Sequence, residues 1–133
     1  MPLHDKGIIM KAGLMAVALV GMLASGGAMA EDGDGNELIV RCGEAVKAAN
    51  GATLNSYADA NFCLGLTQGV RHTMRILNEK LPPLYQTCFP SGITNGQGMR
   101  IVLKYLQDHP DRLHEQDSDL VYLAYKTAYP CKK

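Results

Sequence analysis

Four cysteines, Cys42, Cys63, Cys88 and Cys131, are the residues of this 133-residue chain best suited to covalent chemistry. Their spacing excludes the commoner roles. No pair forms the Cys-x-x-Cys of redox-active thiols, and none shows haem-attachment or zinc-site spacing with histidine. An even count in an exported chain reads instead as two disulfides. His109, Asp111 and His114 gather around one turn, but Pro110 limits how the two imidazoles converge, and helix termination accounts for them without a metal. The serines and threonines have no base at an interpretable spacing, so no activated nucleophile is in view. The chain reads as a protein with no catalytic machinery, cofactor or metal.

Export is read from the start of the chain. Lys6 and Lys11 give a basic lead, residues 14–23 an uncharged apolar run, and Ala28-Met29-Ala30 a small-x-small cleavage site. The apolar run is too short to span a bilayer comfortably. Residues 1–30 therefore read as a secretory signal peptide, and residues 31–133 as one domain with no membrane attachment after cleavage. The compartment is oxidising, that of a bacterial periplasm. With 13 basic and 13 acidic residues, the chain lacks the basic footprint of a nucleic-acid binder.

The stretch Tyr57–Leu77 has the clearest helical period and carries Cys63. Ala60, Cys63, Thr67, Val70, Met74 and Leu77 form one stripe, with Phe62, Leu66, Gly69, Thr73 and Ile76 beside it. At about 100° per residue this apolar arc covers about half the circumference, which calls for neighbours on more than one side. A first helix, capped by Asp34 or Asn36, runs to Asn50-Gly51 with Leu38, Ile39, Cys42, Ala45, Val46 and Ala49 on its apolar side. Leu81-Pro82-Pro83 stops the central helix, and residues 81–92 form an irregular connection held by Cys88. Thr94 caps a third helix, Asn95–Asp108, ended by His109-Pro110. Asp117 or Ser118 caps a fourth, whose core side is Leu120, Leu123, Ala124, Thr127 and Ala128. No segment alternates like a strand. The expected fold is all-α, a small disulfide-crosslinked bundle of about four helices in two hairpins.

Three pairings of four cysteines are possible, and hairpin geometry suggests one. Cys42 lies eight residues before Asn50 and Cys63 seven after Ser56. In an antiparallel hairpin each sits about 11–12 Å from the turn. Cys88 just precedes the third helix and Cys131 just follows the fourth. The expected pairs are Cys42–Cys63 and Cys88–Cys131.

Several motifs resemble a known family, the Rap/Tai type of small periplasmic immunity proteins associated with type VI secretion. Cys63-Leu64-Gly65-Leu66-Thr67-Gln68-Gly69 is similar to its cysteine followed by two glycines, although an aromatic residue is commoner at the place of Leu66. Cys88-Phe89-Pro90-Ser91-Gly92-Ile93-Thr94-Asn95-Gly96-Gln97 resembles its Cys-x-Pro-x-Gly-x-Thr-x-Gly-Gln run. Tyr105-Leu106-Gln107-Asp108-His109-Pro110 and Ala128-Tyr129-Pro130-Cys131 complete the series. The similarity covers Cys42 to Cys131, and residues 115–119 are more polar than the family pattern. The resemblance implies a compact helical fold, no catalysis and often a homodimer. It also implies a protein partner, a peptidoglycan amidase effector whose active site is blocked.

Two surfaces are candidate partner contacts. Tyr122, Tyr125 and Tyr129 are spaced to share one side of the fourth helix, facing either a partner or further segments of the same domain. The polar side of the central helix, with Asn61, Gln68, Arg71, His72, Arg75 and Glu79, reads as a solvated face. Together with the apolar Leu64, residues Gln68, His72 and Arg75 could instead edge a recognition patch. Gly65 and Gly69, each costing roughly 1 kcal/mol relative to alanine within a helix, are expected where another segment approaches closely. The other functional class in view is a small envelope-stress or chaperone-like protein with no effector partner.

Overall fold

The computed structural model describes residues 33–132. The signal-peptide reading of residues 1–30 lies outside the described residues. Four helices follow one another: α1 (Gly35–Ala49), α2 (Tyr57–Leu77), α3 (Asn95–Asp108) and α4 (Asp117–Ala128). Short 3-10 turns sit at Asn78–Lys80, Pro83–Tyr85 and Pro110–Arg112. Among the described residues there is no strand, only two isolated antiparallel bridges, Asp34 with Gln116 and Thr87 with Pro130. The fold is the expected all-α crosslinked bundle.

Side-chain caps set the starts of α1, α2 and α3, whereas at α4 Gln116, not the expected Asp117 or Ser118, stands at the cap position. The Asp34 side chain accepts from the Glu37 amide at α1, and Ser56 accepts from Asp59 at α2. At α3 Thr94 and Gln97 form a reciprocal capping box, each side chain bonded to the other's backbone amide. Gly51 closes the α1–α2 turn at φ 72°, in the left-handed region that costs glycine little. That turn is also held by Glu44, whose carboxylate accepts from the Asn55 amide at 2.6 Å and the Ser56 amide at 3.1 Å. Its other oxygen takes the Lys47 ammonium at 2.6 Å. With these partners Glu44 is buried. These donors lower its carboxyl below the ordinary value, the Lys47 bond most and the Ser56 and Asn55 amides next.

Helix α2 packs on all three others, and α1 also packs against α3. Leu38, Cys42, Cys63, Val102, Leu106, Leu120, Val121 and Tyr125 form the fully buried centre. The α1–α2 crosslink runs through that centre: Cys42 and Cys63 are bonded, with Cα atoms 5.1 Å apart and no exposed surface. Cys88 and Cys131 are bonded with Cα atoms 4.9 Å apart, and this bond lies at the periphery, where Cys88 is exposed.

Helix α4 is rotated from its expected setting. Its buried side is Leu120, Val121, Ala124 and Tyr125, while Thr127 and Ala128 are exposed. Tyr125 accounts for the difference, because its ring brings more area into the core than Thr127 and Ala128 would. It meets Phe89 edge-on at 5.4 Å between ring centroids, and its hydroxyl donates to the Thr67 carbonyl at 3.2 Å. Burial pushes that hydroxyl's pKa up to about 12, so it remains a neutral donor.

Candidate protein-binding surface

The apolar arc of α2 divides into two halves. Ala60, Cys63, Thr67 and Met74 are buried against the other helices. Phe62, Gly65, Leu66, Gly69, Thr73 and Ile76, on the adjoining sector, face outward or lie half-buried. Ile76 keeps 75% of its surface, Leu77 45% and Phe62 41%. The arc is broad, as the sequence suggested, but only one half is buried by the other helices; the other is edged by Arg41 over Phe62 and by Leu81 and Tyr122.

The two glycines correct an expectation. A Cβ added at Gly65 or at Gly69 would meet nothing within 4 Å, so no segment of this domain approaches them. They lie instead on the floor of an apolar groove of about 460 Å³, walled by Leu66, Val70 and Leu77 of α2, by Leu81 and by Tyr122 of α4. Glycine at positions four apart lowers the helix surface to its backbone, which suits close approach by another helix. Leu84 and Tyr85, in the turn that follows Leu81, are also exposed.

The tyrosines do not form one outward stripe. Tyr125 has no exposed surface, which removes it as a partner contact. Tyr129 is half-buried, with its ring 5.5 Å from that of Phe89. Tyr122 alone reaches the groove. Of the polar-side residues, His72 and Arg75 are exposed, Gln68 is half-exposed and Leu64 partly packs on the core.

Arg71, also expected among the solvated residues, is instead buried. Its guanidinium donates to the Thr94 carbonyl at 3.1 Å and to the Asn95 side chain at 2.6 Å, tying α2 to the start of α3. Space for it comes from Gly98, where a Cβ would stand 2.6 Å from the Tyr125 hydroxyl and 3.2 Å from the Arg71 guanidinium. Gly98 is thus a close-approach glycine that Gly65 and Gly69 are not. Its sequence signal was a glycine kept in the first turn of an otherwise well-capped helix. Gly35 is another, facing Leu120 and the Leu113 backbone.

The remaining motif residues shape the turns around α3. Gly92 has φ 79°, Pro90 is exposed beside it, and a Cβ added at Gly96 would stand 3.3 Å from the Arg100 guanidinium and 3.6 Å from the Ala49 side chain. Pro110 opens the 3-10 turn after α3, and His109 stacks on Tyr105 at 4.1 Å while bonding its carbonyl. Among the described residues no group of three His, Cys, Asp or Glu side chains is placed to hold a metal ion. None of the described helices is long and apolar enough to cross a membrane.

These features define a class: a small, doubly crosslinked helical domain with an unpartnered apolar helix face. The chain belongs to the Rap1a immunity proteins, whose family model matches residues 34–131. No curated protein and no solved structure matches it.

Proposed function

We propose that this chain is an exported immunity protein that binds a type VI secretion effector of the peptidoglycan amidase class and blocks its active site. Membership of the immunity family supports the partner class. The observation that carries a protein-binding role is the uncharged outward half of α2, with Gly65 and Gly69 set into a groove. Exposed apolar patches of this kind are characteristic of interaction sites.

The outward face and the polar rim serve different partners in this proposal. The apolar face pairs with a second copy of the chain. Leu64, Gln68, His72 and Arg75 then remain for the effector, while Tyr122, as a wall of the groove, faces the second copy. The test is co-expression with a secreted amidase encoded beside this chain, followed by co-purification and a cell-lysis assay. Complex formation and protection are expected. A protein that neither binds the amidase nor spares the cells ends the proposal.

A further inference from the structure

The two disulfides occupy opposite environments. Cys42–Cys63 has no exposed surface at either residue, so opening it requires the α1–α2 interface to part. Cys88 is exposed and Cys131 half-buried, and Cys131 lines a cleft of about 540 Å³ together with Lys126 and Lys132. Thiol–disulfide exchange needs a line of approach to one sulfur and a leaving sulfur able to carry charge. Nearby ammonium groups favour the thiolate form of a cysteine.

We propose that Cys88–Cys131 is a thiol–disulfide exchange site, opened selectively by a dithiol reductant of the exported oxidoreductase class. The attacking thiolate forms a bond to Cys88 Sγ, and the Cys88–Cys131 bond breaks with its electron pair leaving on Cys131 as a thiolate, on the wall of the cleft that Lys132 also lines. The second thiol of the reductant, once deprotonated, attacks the sulfur of its own partner in the mixed disulfide. Cys88 leaves as a thiolate, and the reductant departs oxidised by two electrons. Resealing is the reverse exchange with an oxidised partner.

The fold tolerates the open state around this bond. The Cys88 amide donates to the Tyr129 carbonyl at 2.9 Å, and Lys126 donates to the Leu84 and Gln86 carbonyls at 2.8 and 3.0 Å. Phe89 remains between Tyr125 and Tyr129.

The experiment uses the folded, oxidised protein. Timed exposure to dithiothreitol, alkylation and peptide mass mapping should label Cys88 and Cys131 at least about tenfold faster than Cys42 and Cys63. Reduced glutathione should leave its adduct on Cys88, and Lys132→Gln should slow that step at low salt. Helical circular dichroism should persist after the first bond opens. Equal rates for the two disulfides, faster labelling of Cys42 and Cys63, or an adduct on Cys131 would overturn the proposal. So would loss of helicity in step with the first opening.

Discussion

The Tyr125 hydroxyl donates to the carbonyl of Thr67 at 3.2 Å, joining the middle of α4 to the middle of α2. The contact exists because residue 98 has no side chain. Gly98→Ala places a methyl 2.6 Å from that oxygen and should cost roughly 1–3 kcal/mol by overpacking. Tyr125→Phe removes the oxygen at a cost of about 0.5–1.5 kcal/mol. In a urea-denaturation cycle the double variant should be more stable than the sum of the two predicts. Strict additivity would show that the methyl does not meet the hydroxyl.

Gly65 and Gly69 should behave in the opposite way. With nothing near either Cβ position, alanine at each should stabilise the isolated domain by roughly 0.5–1 kcal/mol. The same changes should weaken whatever packs on the groove. Thermal melts of the monomer read the first effect, and sedimentation across a concentration series reads the second. A lower melting temperature in the alanine variants would count against an open groove.

Reversing the character of the outward stripe tests self-pairing directly. Ile76→Glu, at a residue 75% exposed, should leave monomer stability within about 0.5 kcal/mol and abolish any dimer. Unchanged oligomeric state by light scattering would place the interface elsewhere.

Glu44 gives stability a pH dependence with a definite sign. Its folded-state pKa lies below the ordinary 4.5, so between the two values the unfolded chain binds more protons. The stabilisation is fully present above 4.5 and disappears as pH falls through the lowered value. Asp34 and Glu115 shift in the same direction, Asp34 mainly through the Glu37 amide and Glu115 through Arg112. Urea midpoints from pH 7 to pH 3 should therefore fall, and Glu44→Gln should flatten the fall without removing it. An identical pH profile in that variant would show that Glu44 makes no contribution.

Removing the buried crosslink should cost about 3 kcal/mol by loop entropy, given its separation of 21 residues. The Cys42→Ala, Cys63→Ala double variant, compared by chemical denaturation, reads this effect. Stability equal to the parent would show that the crosslink adds nothing to packing.

Much of this fold was legible because its signals are local. Ser56, Thr94 with Gln97, and Leu81-Pro82 mark helix ends through bonds formed or denied within a few residues. Burial of Arg71 and Tyr125 was not legible for the converse reason. Arg71 finds its acceptors 23 and 24 residues away, and Tyr125 finds its own 58 residues away. Nothing in the local period of α4 separates a face led by Thr127 from one led by Tyr125. The glycines show the same limit: identical residues in similar helices serve a close contact at Gly98 and an open surface at Gly65. The whole α2 arc was readable as apolar, but the exposure of Gly65, Gly69, Thr73 and Ile76 became visible only when every other helix had been placed.

Helix α4 is fastened at both ends. Before its first turn Gln116 bridges to Asp34, and just past its last turn Pro130 bridges to Thr87 beside the Cys88–Cys131 bond. In mechanical terms it is a beam clamped at each end, with Tyr122 on the span between. A beam so held resists sliding and rolling, so the wall it gives the groove keeps one position while partners come and go. Such a wall has little motion left to lose on contact.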